Sequence, residues 1–321
     1  MQIYQTKLSK ASPVPTQLEF LQAADQRNLL KTKKELSLYH NLEAGNQGEE
    51  FVLDLLEKFG CKHWIVLRNL WLDHYGIYEN DIVLLTSHAI YILEVKNYEG
   101  EFDYRNSRCY INGRKLKENC IHQAEKAWMN LREICHSIDQ SIHIKGALLF
   151  VGEHNEVVIQ SEVDGIEIVT RNTLRKFIQS IKKEEEFHHY SSLNTQKFLS
   201  HFERNEVLNP FGPLKSYLPE EVLKGKCGIY CKECGGYNVT VTRKFVRCEN
   251  FHEELRVEAV FRMIEEFQTL TYESDSVTRA ELMRFLDNQV SEPYLTKFLN
   301  RYFVRIHNGR HSKYQLDKRL S

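Results

Sequence analysis

Apolar residues recur along this chain with the spacing of helices in several places. Positions 52, 55, 56 and 59 are apolar, which predicts a helix with one buried face that ends at Gly60. A further helix is predicted from about residue 172 to 183. A helix over 118–136 is predicted from an apolar stripe made of Ile121, Ala124, Trp128, Leu131 and Cys135.

Shorter apolar or alternating runs predict strands between these helices. Residues 86–89 are short enough to join two of the strands as a hairpin. The run 145–152 is apolar throughout, which is typical of a strand buried on both faces. The predicted strands are 64–69, 81–85, 89–95, 101–105, 109–113, 145–152, 157–160 and 166–170.

The two ends of the chain have a different pattern. Residues 16–40 are good helix formers with poorly periodic apolar positions, so we expect a partly exposed helical arm that Gly45 and Gly48 separate from the next helix. A polar run followed by prolines predicts a linker over 186–222, with one helix at 195–205. Near the C-terminus, helices are predicted at 277–286 and at 291–302 with Ser291 as the N-cap, and Asn308-Gly309 predicts a hairpin after them.

Composition excludes several classes of protein. The chain has 321 residues, of which 42% are hydrophobic and 27% charged, as in ordinary globular proteins. No window approaches the ~20 consecutive apolar residues of a membrane helix. The first thirty residues lack the apolar segment of a signal peptide. We therefore expect a cytoplasmic chain with no membrane partner.

The net charge of −1 argues weakly against nucleic-acid binding, but it averages over unlike segments. Residues 293–321 hold seven Lys or Arg against one Asp, and residues 224–247 hold six against one Glu. Such patches are typical of proteins that bind the phosphate backbone of nucleic acids. The alternative is that these basic residues only form the solvated surface of a small domain. The candidate nucleic-acid-binding residues are Lys297, Arg301, Arg305, Arg310 and Lys313.

Two carboxylates and a lysine occur on neighbouring predicted strands. Glu94 and Lys96 point to the same side of one strand because side chains alternate, and Asp81 begins the adjacent strand. Phosphodiester hydrolysis requires oxygen ligands for a divalent ion and a cation near the attacking water. The alternative is an ordinary solvated strand face.

Two further residues favour the catalytic interpretation. Glu49 shares a helix face with Val52 and Leu56, where a carboxylate requires a partner, whereas Glu50 lies on the polar face. Gln123 flanks the apolar stripe of the later helix and could face the same site.

Here the sequence resembles a known family. Gly45-x-x-Gly48-Glu49, Asn80-Asp81-Ile82-Val83, the run from Ile92 to Gly100 and Gln123 follow the motif order of the nuclease-related domain (NERD) across roughly residues 41–150. That family looks like a branch of the PD-(D/E)XK nuclease superfamily. Two positions depart from the family pattern: Asn80 stands where an isoleucine is usual, and Asn119-Cys120 where an Asn-Pro pair is common.

The resemblance implies a restriction-endonuclease-like fold and assigns roles by position. Asp81 and Glu94 would hold Mg²⁺ or Mn²⁺, with the carbonyl of Val95 as a further candidate ligand. Lys96 would be the catalytic lysine that activates or orients water. Glu49 and Gln123 would be supporting catalytic-site residues, of which Gln123 is the less secure because of the departure beside it.

A cysteine cluster follows the linker. Cys231-x2-Cys234-x13-Cys248-x3-His252 has the spacing of a four-ligand structural Zn²⁺ site, with an alternating strand between the pairs as in a zinc ribbon. Phe251 stands where a second Cys-x2-Cys would place a cysteine, so the fourth ligand is either His252 or Cys227, and a ribbon that has lost its metal is the alternative. NERD proteins with a C-terminal zinc-finger segment look similar here. The remaining cysteines, Cys61, Cys109, Cys120 and Cys135, are expected to be reduced core thiols.

The sequence thus predicts an α/β fold with a mixed central sheet flanked by helices, followed by a small zinc ribbon and a winged-helix-like module. The expected divisions are an N-terminal arm (1–40), the nuclease-related domain (41–185), a linker (186–222), a zinc-binding segment (223–262) and a winged-helix-like basic domain (263–321). The expected function is Mg²⁺-dependent hydrolysis of nucleic acid, with DNA as the first expected substrate. The alternatives are a non-catalytic nucleic-acid-binding or regulatory protein that retains the nuclease fold, and a protein-interaction scaffold.

Overall fold

The computed structural model describes residues 2–5, 14–74, 76–188, 193–274, 276–307 and 312–316. The chain divides into two compact units. The first contains Asn41–Asn209 together with the N-terminal strand, and the second contains the described residues up to His40 and the chain from Pro210 onward. Among the described residues, no helix combines the length and the apolar character that crossing a membrane requires.

The first unit has a mixed central sheet with strand order β1-β2-β3-β4-β8-β10. The β2–β3 and β3–β4 pairs are antiparallel, and the β1–β2, β4–β8 and β8–β10 pairs are parallel. A second sheet has the order β7-β6-β5-β9. The strands are β1 (Gln2–Gln5), β2 (Ile65–Asp73), β3 (Ile77–Leu85), β4 (Ala89–Lys96), β5 (Gly100–Arg105), β6 (Arg108–Ile111), β7 (Arg114–Lys115), β8 (His143–Phe150), β9 (Asn155–Ile159) and β10 (Ile166–Thr170).

Helices cover both faces of the central sheet. One face packs against α2 (Lys33–Phe59) and α4 (Arg171–Phe187), and its core includes Val52, Ile82, Leu84, Leu149 and Ile178. The other packs against α3 (Cys120–Ile138) and α5 (Thr195–Asn205), with Val83, Ile92, Leu131, Phe198 and Phe202 in its core. The predicted mixed α/β sheet flanked by helices is therefore observed, because residues 82–85 alternate between two apolar layers.

The second unit contains two small sheets and the remaining helices. The sheets have the orders β11-β12-β13 and β14-β16-β15, all antiparallel. The strands are β11 (Val239–Val241), β12 (Phe245–Cys248), β13 (Glu253–Leu255), β14 (Val277–Thr278), β15 (Phe303–His307) and β16 (Lys313–Leu316). The helices are α1 (Gln17–Gln26), α6 (Pro219–Val222), α7 (Arg256–Leu270), α8 (Arg279–Phe285) and α9 (Glu292–Tyr302). Asn308-Gly309, on which the hairpin prediction rests, lies outside the described residues.

The prediction for residues 16–40 was wrong in two respects. The segment is not one helix, because α1 ends at Gln26 and α2 begins at Lys33. α1 is partly exposed, as predicted, and it buries Phe20, Leu21, Ala23 and Ala24. The glycines do not interrupt the next helix either, since α2 runs unbroken from Lys33 to Phe59. A single glycine inside a helix costs only about 1 kcal/mol relative to alanine. Packing of this helix against the sheet readily offsets that cost.

Gly48 is a glycine because two other segments approach it closely. A Cβ added at Gly48 would lie 2.8 Å from Cβ of Asn97 and 3.1 Å from Cγ2 of Val151. Gly45, one turn earlier, has nothing within 4 Å of such a Cβ. The second glycine of the motif therefore allows α2 to lie against the end of β4.

The sequence analysis missed α7, which extends beyond residue 262, the expected end of the zinc-binding segment. Its Ala259, Val260, Met263, Ile264 and Phe267 are buried, so this helix forms much of the core of the second unit.

Candidate functional site

The acidic site lies where strands β3 and β4 separate. Their ladder ends at the pair Ile82–Leu93, while β3 continues back to Ile77 beside β2. Asp81 therefore does not begin the strand, as the sequence had suggested, but stands inside it. Its Oδ2 accepts a hydrogen bond from the backbone N–H of Val95 at 2.8 Å. This bond brings the Asp81 carboxylate to the strand that carries Glu94 and Lys96.

Glu94 and Lys96 form an ion pair on one face of β4. Lys96 Nζ donates to Glu94 Oε1 at 2.8 Å, and the Glu94 side chain is only 2% exposed. Burial acts to lower the pKa of Lys96, but the carboxylates of Glu94 and Asp81 outweigh it and hold that pKa above its ordinary value. The lysine is therefore a fixed cation in this arrangement.

Glu49 reaches the same edge of the sheet from α2. Its Oε2 accepts from Arg68 Nε at 2.9 Å, and Arg68 Nη2 also donates to Asn46 Oδ1 at 2.8 Å. Burial and the nearby Asp81 raise the pKa of Glu49 to about 7, although Arg68 opposes the shift. Glu50 is exposed, as its place on the polar helix face predicted.

Glu79 is a fourth carboxylate at this site, and the sequence analysis missed it. It precedes Asp81 by two residues on β3, so both side chains lie on the same face of the strand. Solvent reaches the Glu79 side chain, yet the protein around it and the carboxylates of Asp81 and Glu49 raise its pKa to about 8. The alternation that linked Glu94 to Lys96 could have found it. Arg68 was also missed, and no local motif marks it.

The four carboxylates of Glu49, Glu79, Asp81 and Glu94 face two cationic side chains, Lys96 and Arg68. Burial and the charge of Asp81 also raise the pKa of Glu94 to about 7, and burial raises that of Asp81. This excess of negative charge matches a hard divalent cation that prefers oxygen ligands. No three of these carboxylates have oxygens within 4.8 Å of one another. The arrangement therefore fits an ion held by two of these carboxylates better than one held by all four.

The residues after Lys96 fix the edge of the site. Asn97 Nδ2 donates to the carbonyl of Ala44 at 2.8 Å, which attaches β4 to α2. The carboxylate of Glu99 accepts from the backbone N–H groups of Glu153 and His154. Gly100 has a φ of +91°, where a side chain is strained, and a Cβ there would overlap Asn112. This part of the motif is therefore structural.

Gln123 is carried by α3, whereas the acids lie on α2, β3 and β4. It lies in the first turn of α3 with an exposed side chain, and it makes no hydrogen bond to any of the four carboxylates. Of the predicted site residues, Glu49, Asp81, Glu94 and Lys96 interact electrostatically with one another, whereas no hydrogen bond joins Gln123 to them.

A second cluster of ligand groups lies in the second unit. The ligand atoms of Cys231, Cys234, Cys248 and His252 all lie within 4.8 Å of one another. His252 Nδ1 is 3.4 Å from Cys248 Sγ and 3.7 Å from Cys231 Sγ. Cys227 is not in the cluster, and its Sγ faces the carbonyls of Leu223 and Gly225 instead. The geometry therefore groups His252, and not Cys227, with the three cysteines, and these four residues could hold a metal ion.

The turn before His252 explains why this knuckle departs from Cys-x2-Cys. Phe251 has a φ of +61° and is 85% exposed. The backbone N–H of Cys248 donates to the carbonyl of His252 at 3.1 Å. This turn places His252, rather than Phe251, beside the three cysteines.

The predicted basic residues lie along α9 and the strands that follow it. Lys297, Arg301, Arg305 and Lys313 are exposed, and Arg310 lies outside the described residues. An open groove of about 650 Å³ runs along α9, with Lys297, Asn300 and Arg301 in its wall. Arg279 on α8 also lines the groove and pairs with Glu292 at 2.7 Å.

Residues 44–151 match the family model of the nuclease-related domain (NERD). The matched stretch contains the four carboxylates and Lys96, and it confirms the resemblance drawn from the motifs. It covers roughly one third of the 321 residues, and the cysteine cluster and the basic helix lie outside it. Comparisons with curated proteins and with solved structures gave no significant match.

Proposed function

We propose that the nuclease-related domain at residues 44–151 hydrolyses phosphodiester bonds of nucleic acid with a divalent cation held by Asp81 and Glu94. DNA is the first substrate that we propose. The observation that carries the proposal is the meeting of four carboxylates and Lys96 where β3 and β4 separate. Such a site favours Mg²⁺ or Mn²⁺ because these ions prefer oxygen ligands. When bound, the ion would supply positive charge to the scissile phosphate and make a water molecule more acidic.

Each residue of the chain then has a distinct role. Asp81 and Glu94 provide ligand oxygens, and the Val95 N–H holds the Asp81 carboxylate in place. Because Lys96 remains protonated, it acts as a cation that orients the attacking water and offsets charge on the phosphate, rather than as a base. Glu49, held by Arg68, and Glu79 complete the negative surface that attracts the ion.

The test is DNA cleavage by the purified full chain. Supercoiled plasmid, linear DNA and RNA are incubated with Mg²⁺, with Mn²⁺ and with EDTA. We expect cleavage that requires the ion, and a rate at least about 100-fold lower for Asp81→Asn, because that variant loses a charged ligand. Glu101→Gln, an exposed acid on β5, is the matched control and should cleave like the parent.

Two results would contradict the proposal. Equal cleavage by Asp81→Asn and the parent would place the activity elsewhere. A folded chain that binds DNA and cuts none of the substrates with either ion would support the non-catalytic nucleic-acid-binding function instead.

We propose further that the second unit binds the phosphate backbone through a zinc ribbon and a winged-helix-like module. Support comes from the Cys231–His252 cluster beside the three-stranded sheet β11-β12-β13 and from the exposed Lys297 and Arg301 on α9. Lys297→Ala should weaken binding similarly for all DNA sequences. It should also reduce the magnitude of the slope of the logarithm of the DNA-binding constant against the logarithm of salt concentration by about 1. Lys183→Ala, an exposed lysine on α4, should leave that slope unchanged. Equal slopes for both variants would argue against this surface.

The zinc part of the proposal is tested separately. Zinc content and the thermal midpoint are compared for His252→Ala and Cys227→Ala. We expect His252→Ala to lose zinc affinity and stability because it removes one of four ligands, and Cys227→Ala to retain both. Loss of zinc from Cys227→Ala but not from His252→Ala would show that Cys227, rather than His252, is the fourth ligand.

A further inference from the structure

A third group of metal-ligating side chains lies in the first unit, away from the acidic site. The ligand atoms of Cys61, His63 and Glu185 all lie within 4.8 Å of one another. Cys61 and His63 are in the loop after α2, and Glu185 is in the last turn of α4. No motif predicted this group, because its acid is more than a hundred residues from the Cys-x-His pair.

Glu185 is held in a fixed position in this group. Its side chain is only 9% exposed. Oε2 accepts from the indole N–H of Trp64 at 2.9 Å, and Oε1 accepts from the backbone N–H of Ser87 at 2.5 Å. Donors of this kind orient the ligating carboxylates of metal sites and keep them ionised.

His63 and Cys61 provide the other two ligand atoms of this site, and solvent can reach the site on one side. His63 Nε2 lies 2.9 Å from Glu185 Oε1, and the His63 side chain is 58% exposed. Cys61 is half-buried. An ion could therefore enter from solvent and keep a water molecule as its fourth ligand.

The chemistry of the three ligands selects a class of ion. A thiolate, an imidazole and a carboxylate are the ligands of Zn²⁺ and of similar borderline metals, whereas Mg²⁺ and Ca²⁺ prefer oxygen. An ionised Glu185 and a Cys61 thiolate would together neutralise a divalent charge. The Cys61 thiol would release its proton when the ion binds, because the thiolate is the form that ligates metals.

We infer that Cys61, His63 and Glu185 bind one transition-metal ion of the zinc class, separately from both the acidic site and the Cys231–His252 cluster. The Ser87 contact places this site at the β3–β4 turn, whereas Glu94 and Lys96 lie near the far end of β4. At about 3.3 Å per residue, the two ends of this strand are on the order of 20 Å apart. An ion here would connect the loop after α2 to the end of α4.

The first test counts the ions bound by the full chain. Zinc content is measured after equilibration with micromolar Zn²⁺ and removal of excess. We expect two zinc ions per parent chain, one in Cys61→Ser, and one in Cys248→Ser, which disrupts the other cluster. Glu186→Gln removes a neighbouring acid that is not a ligand and should keep two. A parent chain and a Cys61→Ser chain with the same zinc content would overturn the inference.

The second test reads the site locally and does not depend on the C-terminal cluster. The rate of iodoacetamide alkylation at Cys61 is followed by peptide mass spectrometry with and without Zn²⁺. We expect Zn²⁺ to slow alkylation at least tenfold in the parent and in Glu186→Gln. In His63→Gln, metal affinity should fall roughly 10–100-fold and the protection should be lost at the same Zn²⁺ concentration. Equal alkylation rates with and without Zn²⁺ in the parent would refute the site, whatever the activity of the acidic site.

Discussion

Lys96 Nζ and Glu94 Oε1 lie 2.8 Å apart on one strand, so the cation and one proposed metal ligand form an ion pair with each other. A divalent ion that binds Glu94 must share this carboxylate with the lysine. The same ammonium therefore opposes metal binding by repulsion and supports cleavage by its charge. These two effects can be separated experimentally.

We predict that Lys96→Met binds Mg²⁺ more tightly than the parent and cleaves DNA at least about 100-fold more slowly. Removing the ammonium leaves Glu94 and Asp81 free for the ion but removes the cation beside the phosphate. Titration calorimetry measures Mg²⁺ affinity, and plasmid cleavage measures the rate. Lys115→Met, an exposed lysine on β7, should change neither quantity. Weaker Mg²⁺ binding by Lys96→Met than by the parent would contradict the prediction that the Lys96 ammonium repels the ion.

Glu79→Gln should stabilise the first unit in EDTA. Glu79 stands beside Asp81, Glu49 and Glu94, and removing one of four mutually repelling charges relieves part of that repulsion. We expect the thermal midpoint at pH 8 to rise by about 1–4 °C, the gain from added Mg²⁺ to shrink, and cleavage to fall. Tryptophan fluorescence isolates this unit, because Trp64, Trp71 and Trp128 all belong to it. An unchanged or lower midpoint in EDTA would show that Glu79 does not share the repulsion.

Much of the first unit could be predicted because its signals are local. Alternation placed Glu94 and Lys96 on one face, and the apolar helix stripe placed Glu49 toward the sheet. Arg68 could not be found in this way, because its partners Glu49 and Asn46 come from a different element. Glu79 was within reach of the same alternation, but Asp81 was taken as the start of its strand. The grouping of Cys61 with Glu185 likewise required the packed fold.

The second unit was predicted less well because its burial depends on distant partners. The apolar positions of α1 look irregular in isolation since they pack against α7, a helix that was not predicted. The spacing of the cysteines predicted the cluster, but only the folded structure groups His252, and not Cys227, with them. Periodicity also treats an arginine as exposed, whereas Arg27 is fully buried.

Gly48→Ala and Gly45→Ala should have opposite effects on stability. A Cβ at Gly48 would lie 2.8 Å from Cβ of Asn97, so we expect the free energy of unfolding to fall by about 1–3 kcal/mol. A Cβ at Gly45 meets nothing within 4 Å, and alanine there should add about 0.5–1 kcal/mol. Urea unfolding followed by tryptophan fluorescence measures both. A stabilising Gly48→Ala would mean that α2 and β4 are not in close contact.

Arg27→Ala should be among the most destabilising single changes in the second unit. Its Nε lies 2.5 Å from Glu266 Oε1, its Nη1 donates to the carbonyls of Lys226 and Gly228, and its guanidinium stacks on Phe285. Removing it leaves the Glu266 carboxylate without its cation, at a cost of about 3–5 kcal/mol. Hydrogen exchange of the α7 amides reports this loss.

A double variant separates lost charge from lost packing at this ion pair. Arg27→Met combined with Glu266→Met removes both charges and keeps most of the volume, so it should lose much less stability than Arg27→Ala. Arg279→Ala, an arginine paired with Glu292 nearer the surface, should cost at most about 1 kcal/mol. A double variant as unstable as Arg27→Ala would assign the loss to packing around the arginine instead.

Protonation of His88 in mild acid should cost the first unit stability. This imidazole is 6% exposed and stacks on His188, with ring centroids 4.0 Å apart, while His143 lies 5.0 Å away. Burial and the positive charge of those histidines and of Lys145 lower its pKa below the ordinary value of 6.5, and Glu184 only partly opposes this. The unfolded chain therefore binds the proton more readily than the folded chain. The contribution of His88 to stability is present above about pH 6.5 and is lost as the pH falls through the lower folded pKa.

Between pH 7.5 and 5.5, protonation of Glu49, Glu79 and Glu94 stabilises the same unit and opposes the effect of His88, because the pKa values of these acids are raised to about 7 or 8. We therefore expect the urea midpoint of tryptophan fluorescence to shift in favour of His88→Asn relative to the parent over this range, even if that variant is less stable at pH 7.5. His154→Asn, an exposed histidine of the same unit, should follow the pH dependence of the parent. If the stabilities of His88→Asn and the parent change by the same amount over this range, then protonation of His88 does not contribute to the pH dependence of the unit.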